Sequence, residues 1–386
     1  MKILIYTEYF FPIPGGVQTI VVELARGLVG WARKNPAAEA IEVTVVTRTH
    51  ERMAEDELLP FRLVRAPGFW ELVQLVREAD VLHLAGPALL PLALALLLRK
   101  PAVMEHHGFQ VACPNGLMFY EPDQSPCSGH YMARRYEKCI ACNSKTVGKR
   151  KSWKWLALTP LRRLLAQMCA INITPTDWLA GILKLENSRT VHHGISVRRA
   201  EAPSVPATAA VFAFQGRLVT TKGVGLLLEA ADQLRKEKCE FELRIIGEGP
   251  EEAALRSQAA GLNGRVRFLG HIPDDQLEMV LGDVSTVVMP SLGGEVFGLV
   301  AAENMLRGKL LVVSDIGALQ EVVGDTGLVA RTGDAKSLAG CMRVVLENPA
   351  LVESRGRAAR VRAQDAFARD GMIQGHIAIY MEAMRR

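Results

Sequence analysis

Two pairs of charged residues in this sequence stand where they could hold a sugar and a diphosphate. In Ser291-Leu292-Gly293-Gly294-Glu295-Val296-Phe297-Gly298-Leu299-Val300-Ala301-Ala302-Glu303, two carboxylates bracket a glycine-bearing turn. A carboxylate accepts two hydroxyl hydrogen bonds, so Glu295 in the loop and Glu303 on the helix behind it could grip two sugar rings. The glycines let backbone N–H groups approach a ligand, and a helix starting near Gly298 offers its N-terminal dipole to an anion such as a diphosphate. The same spacing also suits an acidic helix cap followed by a surface glutamate. In Phe214-Gln215-Gly216-Arg217-Leu218-Val219-Thr220-Thr221-Lys222-Gly223, two cations follow an apolar run. Arg217 brings a planar fork and Lys222 a movable point charge, which together can stabilise charge on a departing diphosphate. Taken alone, such a pair is more often two solvated loop cations.

Three further groups carry chemistry. Met104-Glu105-His106-His107-Gly108 places a histidine at the end of a strand, where it can hydrogen-bond a sugar hydroxyl, although a lone histidine is more often structural. Phe11-Pro12-Ile13-Pro14-Gly15-Gly16-Val17-Gln18 reads as a tight turn from strand to helix, without the G-x-G-x-x-G spacing of a dinucleotide site. Of seven cysteines, Cys113, Cys127, Cys139 and Cys142 share one short segment, the last two at knuckle spacing. Four thiolates suit a closed tetrahedral structural zinc, with unliganded buried thiols as the alternative. Just beyond, Lys145, Lys149, Arg150, Lys151 and Lys154 surround Trp153 and Trp155, and Arg162-Arg163 follow among leucines. That mixture suits either an anionic membrane surface or a solvated helix face over core leucines.

The elements that must position these residues alternate. Lys2 to Tyr6, Glu42 to Thr47, Val81 to Leu84, Ala102 to Met104 and Ala170 to Ile173 read as strands, with helices such as Val17 to Gly27 between them. After a linker at Ala202-Pro203-Ser204-Val205-Pro206 the rhythm restarts with Val211 to Phe214, Phe241 to Ile246, Val266 to Leu269, Thr286 to Met289 and Leu310 to Val313 as strands, and Val224 to Leu234 as a helix. Alternation of this kind predicts an α/β fold with two parallel sheets. Ligands of such sheets bind at the C-terminal strand ends, so two tandem domains predict a cleft. We expect an N-terminal domain over 1–197, with the cysteine-rich insertion at about 113–154 and completed by a C-terminal helix over 370–386, and a second domain over 207–369. With 386 residues, 49% hydrophobic and 23% charged, the chain can bury two cores without staples. A net charge of +5 over this length does not argue for nucleic acid. Met1-Lys2-Ile3-Leu4-Ile5-Tyr6 leads into Glu8 and Pro12, unlike a signal peptide, which predicts a cytoplasmic protein. The apolar run from Ala88 to Leu98 is too short to span a bilayer and predicts a buried helix.

The segment from Pro290 to Glu303 resembles the two-glutamate signature of the retaining family 4 glycosyltransferases (glycosyltransferases group 1), and continues in that family's order through Gly308, Val312-Val313-Ser314-Asp315 and Glu321-Val322-Val323. The resemblance implies a GT-B fold, two Rossmann-like domains facing across a cleft. It implies that Glu303 holds the nucleotide ribose, that Glu295 faces the donor sugar, and that Phe297, Gly298, Leu299 and Val300 present backbone to sugar and phosphate. Arg217 and Lys222 match the family's Gly-Arg and Lys-Gly element on the donor diphosphate, and Gly247 a turn near the base. Gly15 and Gly16 match its glycine loop, and His107, chosen over His106, its active-site histidine. His83 matches a structural strand position and His193-Gly194-Ile195 an interdomain junction. A subset of the family carries a similar Cys-Pro beginning and Cys-x-x-Cys ending after the His-Gly element.

These readings predict a hexosyltransferase moving a sugar from a nucleoside diphosphate sugar to an acceptor hydroxyl with retention, in polysaccharide, cell-envelope or glycolipid assembly. The donor is the nucleoside diphosphate sugar and the acceptor a sugar or lipid-linked group. No catalytic metal and no nucleic acid are expected, and the protein is expected in the cytoplasm, with docking on the cytoplasmic face of an anionic membrane left open beside a solvated helix face. A sugar-nucleotide epimerase of the same architecture, or a non-catalytic sugar-nucleotide-binding protein, would share the fold.

Overall fold

The computed structural model describes residues 1–13, 15–35, 40–196, 210–262 and 264–386. The expected linker at 202–206 lies outside the described residues. Among the described residues, fifteen strands run in chain order as β1 (Lys2–Thr7), β2 (Glu42–Thr47), β3 (Arg62–Arg65), β4 (Val81–Ala85), β5 (Ala102–Glu105), β6 (Phe119–Tyr120), β7 (Ser125–Pro126), β8 (Ile171–Thr174), β9 (Ser188–Thr190), β10 (Ala210–Gln215), β11 (Phe241–Ile246), β12 (Val266–Gly270), β13 (Thr286–Met289), β14 (Leu310–Ser314) and β15 (Leu328–Ala330). The α-helices among the described residues are α1 (Gly16–Lys34), α2 (Phe69–Glu78), α3 (Leu89–Leu97), α4 (Tyr136–Gln167), α5 (Asp177–Leu183), α6 (Val224–Lys236), α7 (Glu252–Ala259), α8 (Asp274–Leu281), α9 (Leu299–Leu306), α10 (Leu319–Val323), α11 (Ala335–Glu347), α12 (Pro349–Ala366) and α13 (Arg369–Arg385).

The chain forms two compact units, one of Met1–Leu117, Gly129–Gly194 and Ala368–Arg386, the other of Met118–Ser128 and Ile195–Phe367. The first holds a seven-stranded sheet in the order β3-β2-β1-β4-β5-β8-β9, the second a six-stranded sheet in the order β12-β11-β10-β13-β14-β15. Every pairing within these two sheets is parallel. The fold class is α/β, as the alternating pattern predicts.

Helices cover both faces of a parallel sheet, so its inner strands read as continuous apolar runs. In β10, Phe212 and Phe214 pack with Leu227 and Leu234 of α6 and Met342 of α11. Val211 and Ala213, one position along, pack on the other face with Ala301 and Met305 of α9 and Ala359 of α12. The period-two alternation of a strand thus feeds two cores from one segment. In each sheet the strand order reverses once, between β1 and β4 and between β10 and β13. Loops leaving the C-terminal ends of such a pair diverge and leave a crevice for ligands.

Two details depart from expectation. The run 88–98 forms α3, yet only one face is buried: Leu90 is 50% and Leu97 79% exposed, so it is a one-sided surface helix. The segment around 113–154 is divided, because Met118–Ser128, with the β6-β7 hairpin, groups with the second unit. Cys127 therefore belongs to the second unit, and Cys113, Cys139 and Cys142 to the first.

Candidate active site

In the second unit the cation loop leaves β10 and the glutamate loop leaves β13, the two strands at which the order reverses. The loops are sewn together. The N–H groups of Leu292 and Gly293 both donate to the Thr221 carbonyl, at 2.8 and 3.0 Å. Gly223, at φ +69°, lies so close to the Pro290 carbonyl that a Cβ would fall 2.0 Å from its oxygen. Only glycine satisfies both the left-handed backbone and that contact.

The stitching brings Lys222 onto Glu295, with Nζ 2.5 Å from Oε1. The Ser291 hydroxyl donates to the same oxygen at 3.0 Å. The Glu295 carbonyl accepts from the Ala318 N–H at 2.8 Å, so the loop after β14 buttresses it from behind. Arg217 is exposed at the head of its loop. Glu303 is half-buried on α9, whose neighbouring Asn304 donates to Gln215 at the end of β10 at 3.0 Å. Gly298 caps α9 at φ +94° and Leu299 opens it, so the helix starts where the glycine spacing places it. Phe297 is 1% exposed and packs edge-on against Phe367, so its side chain belongs to the core and only its backbone is offered to a ligand. Leu299 and Val300 are half-buried in the first turn. Gly247 follows β11, its N–H donating to the Gly270 carbonyl at 2.8 Å.

In the first unit, a cavity of about 980 Å³ opens at the C-terminal ends of β1 to β5. Its lining includes Tyr6, Thr7, Gln18, Arg48, His107 and Arg162. Gly15 caps α1 and Gly16 begins it, one residue before Val17 of that lining. His107 reaches the cavity, whereas His106 is buried with Nε2 2.9 Å from Asn172 Oδ1. Burial, only partly offset by Asn172, pushes His106 down to about 4, so it stays neutral.

Behind His107 stands Glu105, to which sequence patterns assign no role and which closes β5 fully buried. His83 Nε2, His107 Nε2, His193 Nδ1 and His376 Nε2 lie 3.2, 3.5, 3.5 and 3.6 Å from its oxygens. Burial works to raise the Glu105 carboxyl, but His107, His376 and His83 together outweigh it and hold it well below the usual range. Burial also lowers His83, against the pull of Glu105, and takes His193 down to about 3. His193 stacks on His107 at 5.3 Å, and the Gly194 N–H donates to Met372 of α13, so the expected junction is packed against the last helix. A charged residue ending the apolar run Ala102-Val103-Met104 was the signal for Glu105; His376, far along the chain, carried none.

Of the four clustered cysteines, Cys113, Cys139 and Cys142 are buried, Cys127 is half-buried, and all four are free of disulfides. Asn115 links two of them: its Oδ1 accepts from Cys113 Sγ at 3.0 Å and its Nδ2 lies 3.8 Å from Cys142 Sγ.

Residues 209–348 match the model described as glycosyl transferases group 1, and residues 14–199 the model of glycosyltransferase family 4. The chain belongs to glycosyltransferase family 4. Among relatives of this family 4 member, a Mycobacterium tuberculosis glycogen synthase is 36% identical over 176 residues, 45% of this chain and 42% of that protein. A phosphatidyl-myo-inositol mannosyltransferase of Mycobacterium leprae is 36% identical over 134 residues, 34% of this chain and 36% of that one. The similarity thus spans less than half the length of these curated relatives. Anabaena Alr3699/HepE, solved in complex with UDP and glucose, superposes with a TM-score of 0.73 over 99% of both chains at 18% identity, which establishes the shared GT-B fold.

Proposed function

We propose that this chain transfers a sugar from a nucleoside diphosphate sugar to an acceptor hydroxyl with retention of configuration, in polysaccharide, cell-envelope or glycolipid assembly. The observation that carries the reading is the joined pair of loops at the β10-β13 reversal, which sets Lys222 on Glu295 with Arg217 exposed at the same strand ends. A donor diphosphate competes for Lys222. When it draws the ammonium away, Glu295 is left to accept hydroxyl hydrogen bonds from the sugar, while Arg217, Lys222 and the backbone at Gly298 stabilise the leaving group. Glu303, on α9, takes the ribose, and the turn at Gly247 the base.

In the first unit, His107 can hydrogen-bond a sugar hydroxyl, the Gly15-Gly16 turn offers backbone to a phosphate, and the cavity beside His107 receives the acceptor. The glycolipid mannosyltransferases among the relatives support a lipid-linked acceptor. So does the surface of α4, where Trp153, Leu161 and Leu164 and the capping Met168 are exposed, along one stripe by their spacing, beside Lys149, Arg150, Lys151 and Lys154. No helix among the described residues is long and apolar enough to cross a membrane. We assign a structural zinc to the thiolates of the first unit, Cys113, Cys139 and Cys142, and leave Cys127, which belongs to the second unit, outside that set; protein prepared without chelator that contains no thiolate-bound metal overturns that assignment.

Thermal shift against UDP-, GDP- and ADP-sugars tests the donor site. The expected result is a rise in Tm with one base and not the others, lost in Arg217→Ala. No shift with any sugar nucleotide contradicts it, and a released isomerised sugar nucleotide without acceptor would favour an epimerase.

A further inference from the structure

The buried cluster around Glu105 lies outside the donor chemistry, and its hydrogen bonding does not close. Three imidazole nitrogens converge on Glu105 Oε2: His83 Nε2 at 3.2 Å, His107 Nε2 at 3.5 Å and His376 Nε2 at 3.6 Å. Among the described residues, neither Glu105 oxygen, nor His83 Nε2, nor His376 Nε2 has a partner in hydrogen-bond geometry. Glu105, His83 and His376 are all fully buried, so water does not supply the missing partners from the surface. A carboxylate stripped of both water and hydrogen bonds is among the most costly groups a core can hold.

His376 sharpens the conflict. Its Nδ1 lies 2.8 Å from the Met372 carbonyl oxygen, which only accepts, so Nδ1 carries the proton. In the neutral ring Nε2 then presents a lone pair to a carboxylate oxygen that presents another. Two lone pairs aimed at each other call for a cation between them. Zinc bonds of about 2.0–2.1 Å at tetrahedral angles leave ligand atoms roughly 3.4 Å apart, and the observed 3.2 and 3.6 Å bracket that spacing. The ligand atoms of His83, Glu105 and His376 all lie within 4.8 Å of one another. The outer nitrogens are already fixed, His83 Nδ1 by the Tyr380 hydroxyl at 3.0 Å and His376 Nδ1 by Met372. Metal-bound histidines are held in this way, the second nitrogen setting tautomer and ring orientation.

We propose that His83, Glu105 and His376 bind a divalent transition-metal ion of the zinc class, which fastens α13 to β4 and β5 in the middle of the first sheet. Two nitrogens and one oxygen form a three-ligand set with a fourth position open. The ion also fixes the carboxylate two residues before His107, whatever the role of that histidine in the reaction.

Cobalt(II) loading of the full chain tests the proposal, in a Cys139→Ser/Cys142→Ser background that removes a thiolate site as a competing source of metal. The expected result is one cobalt per chain with the ligand-field bands of a four-coordinate nitrogen and oxygen site and no thiolate charge-transfer band. His376→Gln and Glu105→Gln should each abolish it, while Tyr380→Phe, which removes only the outer partner, should retain the metal at about 10-fold or greater loss of affinity. Should these variants fail to fold, the unsubstituted protein serves: a strong chelator should lower its Tm and zinc should restore it, with cobalt bands of nitrogen and oxygen type beside any thiolate bands. A chain that shows no such bands in excess cobalt, or a folded His376→Gln with unchanged metal content, overturns the site and leaves an imidazolium–carboxylate network in its place.

Discussion

Lys222 and Glu295 are the residues on which charge chemistry and structure meet most closely. With side chains 32% and 16% exposed, their ion pair contributes little to stability, about 0–1 kcal/mol for pairs of this kind. Lys222→Ala should therefore leave Tm almost unchanged while donor turnover falls by roughly 10²–10³, the usual effect of removing one group that stabilises developing negative charge. A comparable fall in both would show that the lysine is structural, and a thermal melt beside a turnover assay separates the cases. Both residues were legible in the sequence because they are polar, lie in glycine-bearing loops and follow apolar runs. That they bond each other was not, since 73 residues separate them and only the strand order brings their loops together. Ser291 and His376 were invisible for a related reason: a serine in a loop and a histidine on a distant helix acquire meaning only from what the fold sets beside them.

At the scale of elements, the close joint between the β10 and β13 loops carries the site. Gly223→Ala would place a methyl group 2.0 Å from the Pro290 oxygen and force the left-handed backbone onto a residue with a Cβ. Such strain costs at least about 1–2 kcal/mol. The variant should unfold at lower temperature and bind donor more weakly than its stability loss alone explains, as circular dichroism melts and nucleotide titration would reveal; wild-type affinity would mean that the joint does not shape the site. Strands inside the sheets, whose β-branched and apolar residues are mostly buried, were readable to the residue, as in β2, β11 and β13. The missed sheet-edge strands β3, β9 and β15 are short and their residues are mostly half-exposed, so hydrophobic pattern was weak there. Helix α1 runs on to Lys34, beyond its expected end at Gly27, because that glycine ends nothing. It is a seat for α13, with a hypothetical Cβ only 2.3 Å from Ile373 Cδ1.

At the scale of the molecule, the first unit is assembled from three separate stretches of chain and closes on its last helix, through Tyr380 against His83 and Met372 against Gly194. The second unit holds the charged loops that the proposed donor requires. Two parallel sheets were foreseeable because alternation of strand and helix permits few other solutions. The division of 113–154 between the units was not, since local composition says nothing of which sheet a hairpin joins. The central claim is that the second unit binds and activates a nucleoside diphosphate sugar through residues at the β10-β13 reversal. Its most direct test is release of nucleoside diphosphate from the preferred donor, in the presence of acceptor, by the wild type, Arg217→Ala and Glu303→Ala. We predict turnover by the wild type and none above background in either variant, each folded as judged by its melt; unchanged turnover in both variants would contradict the account.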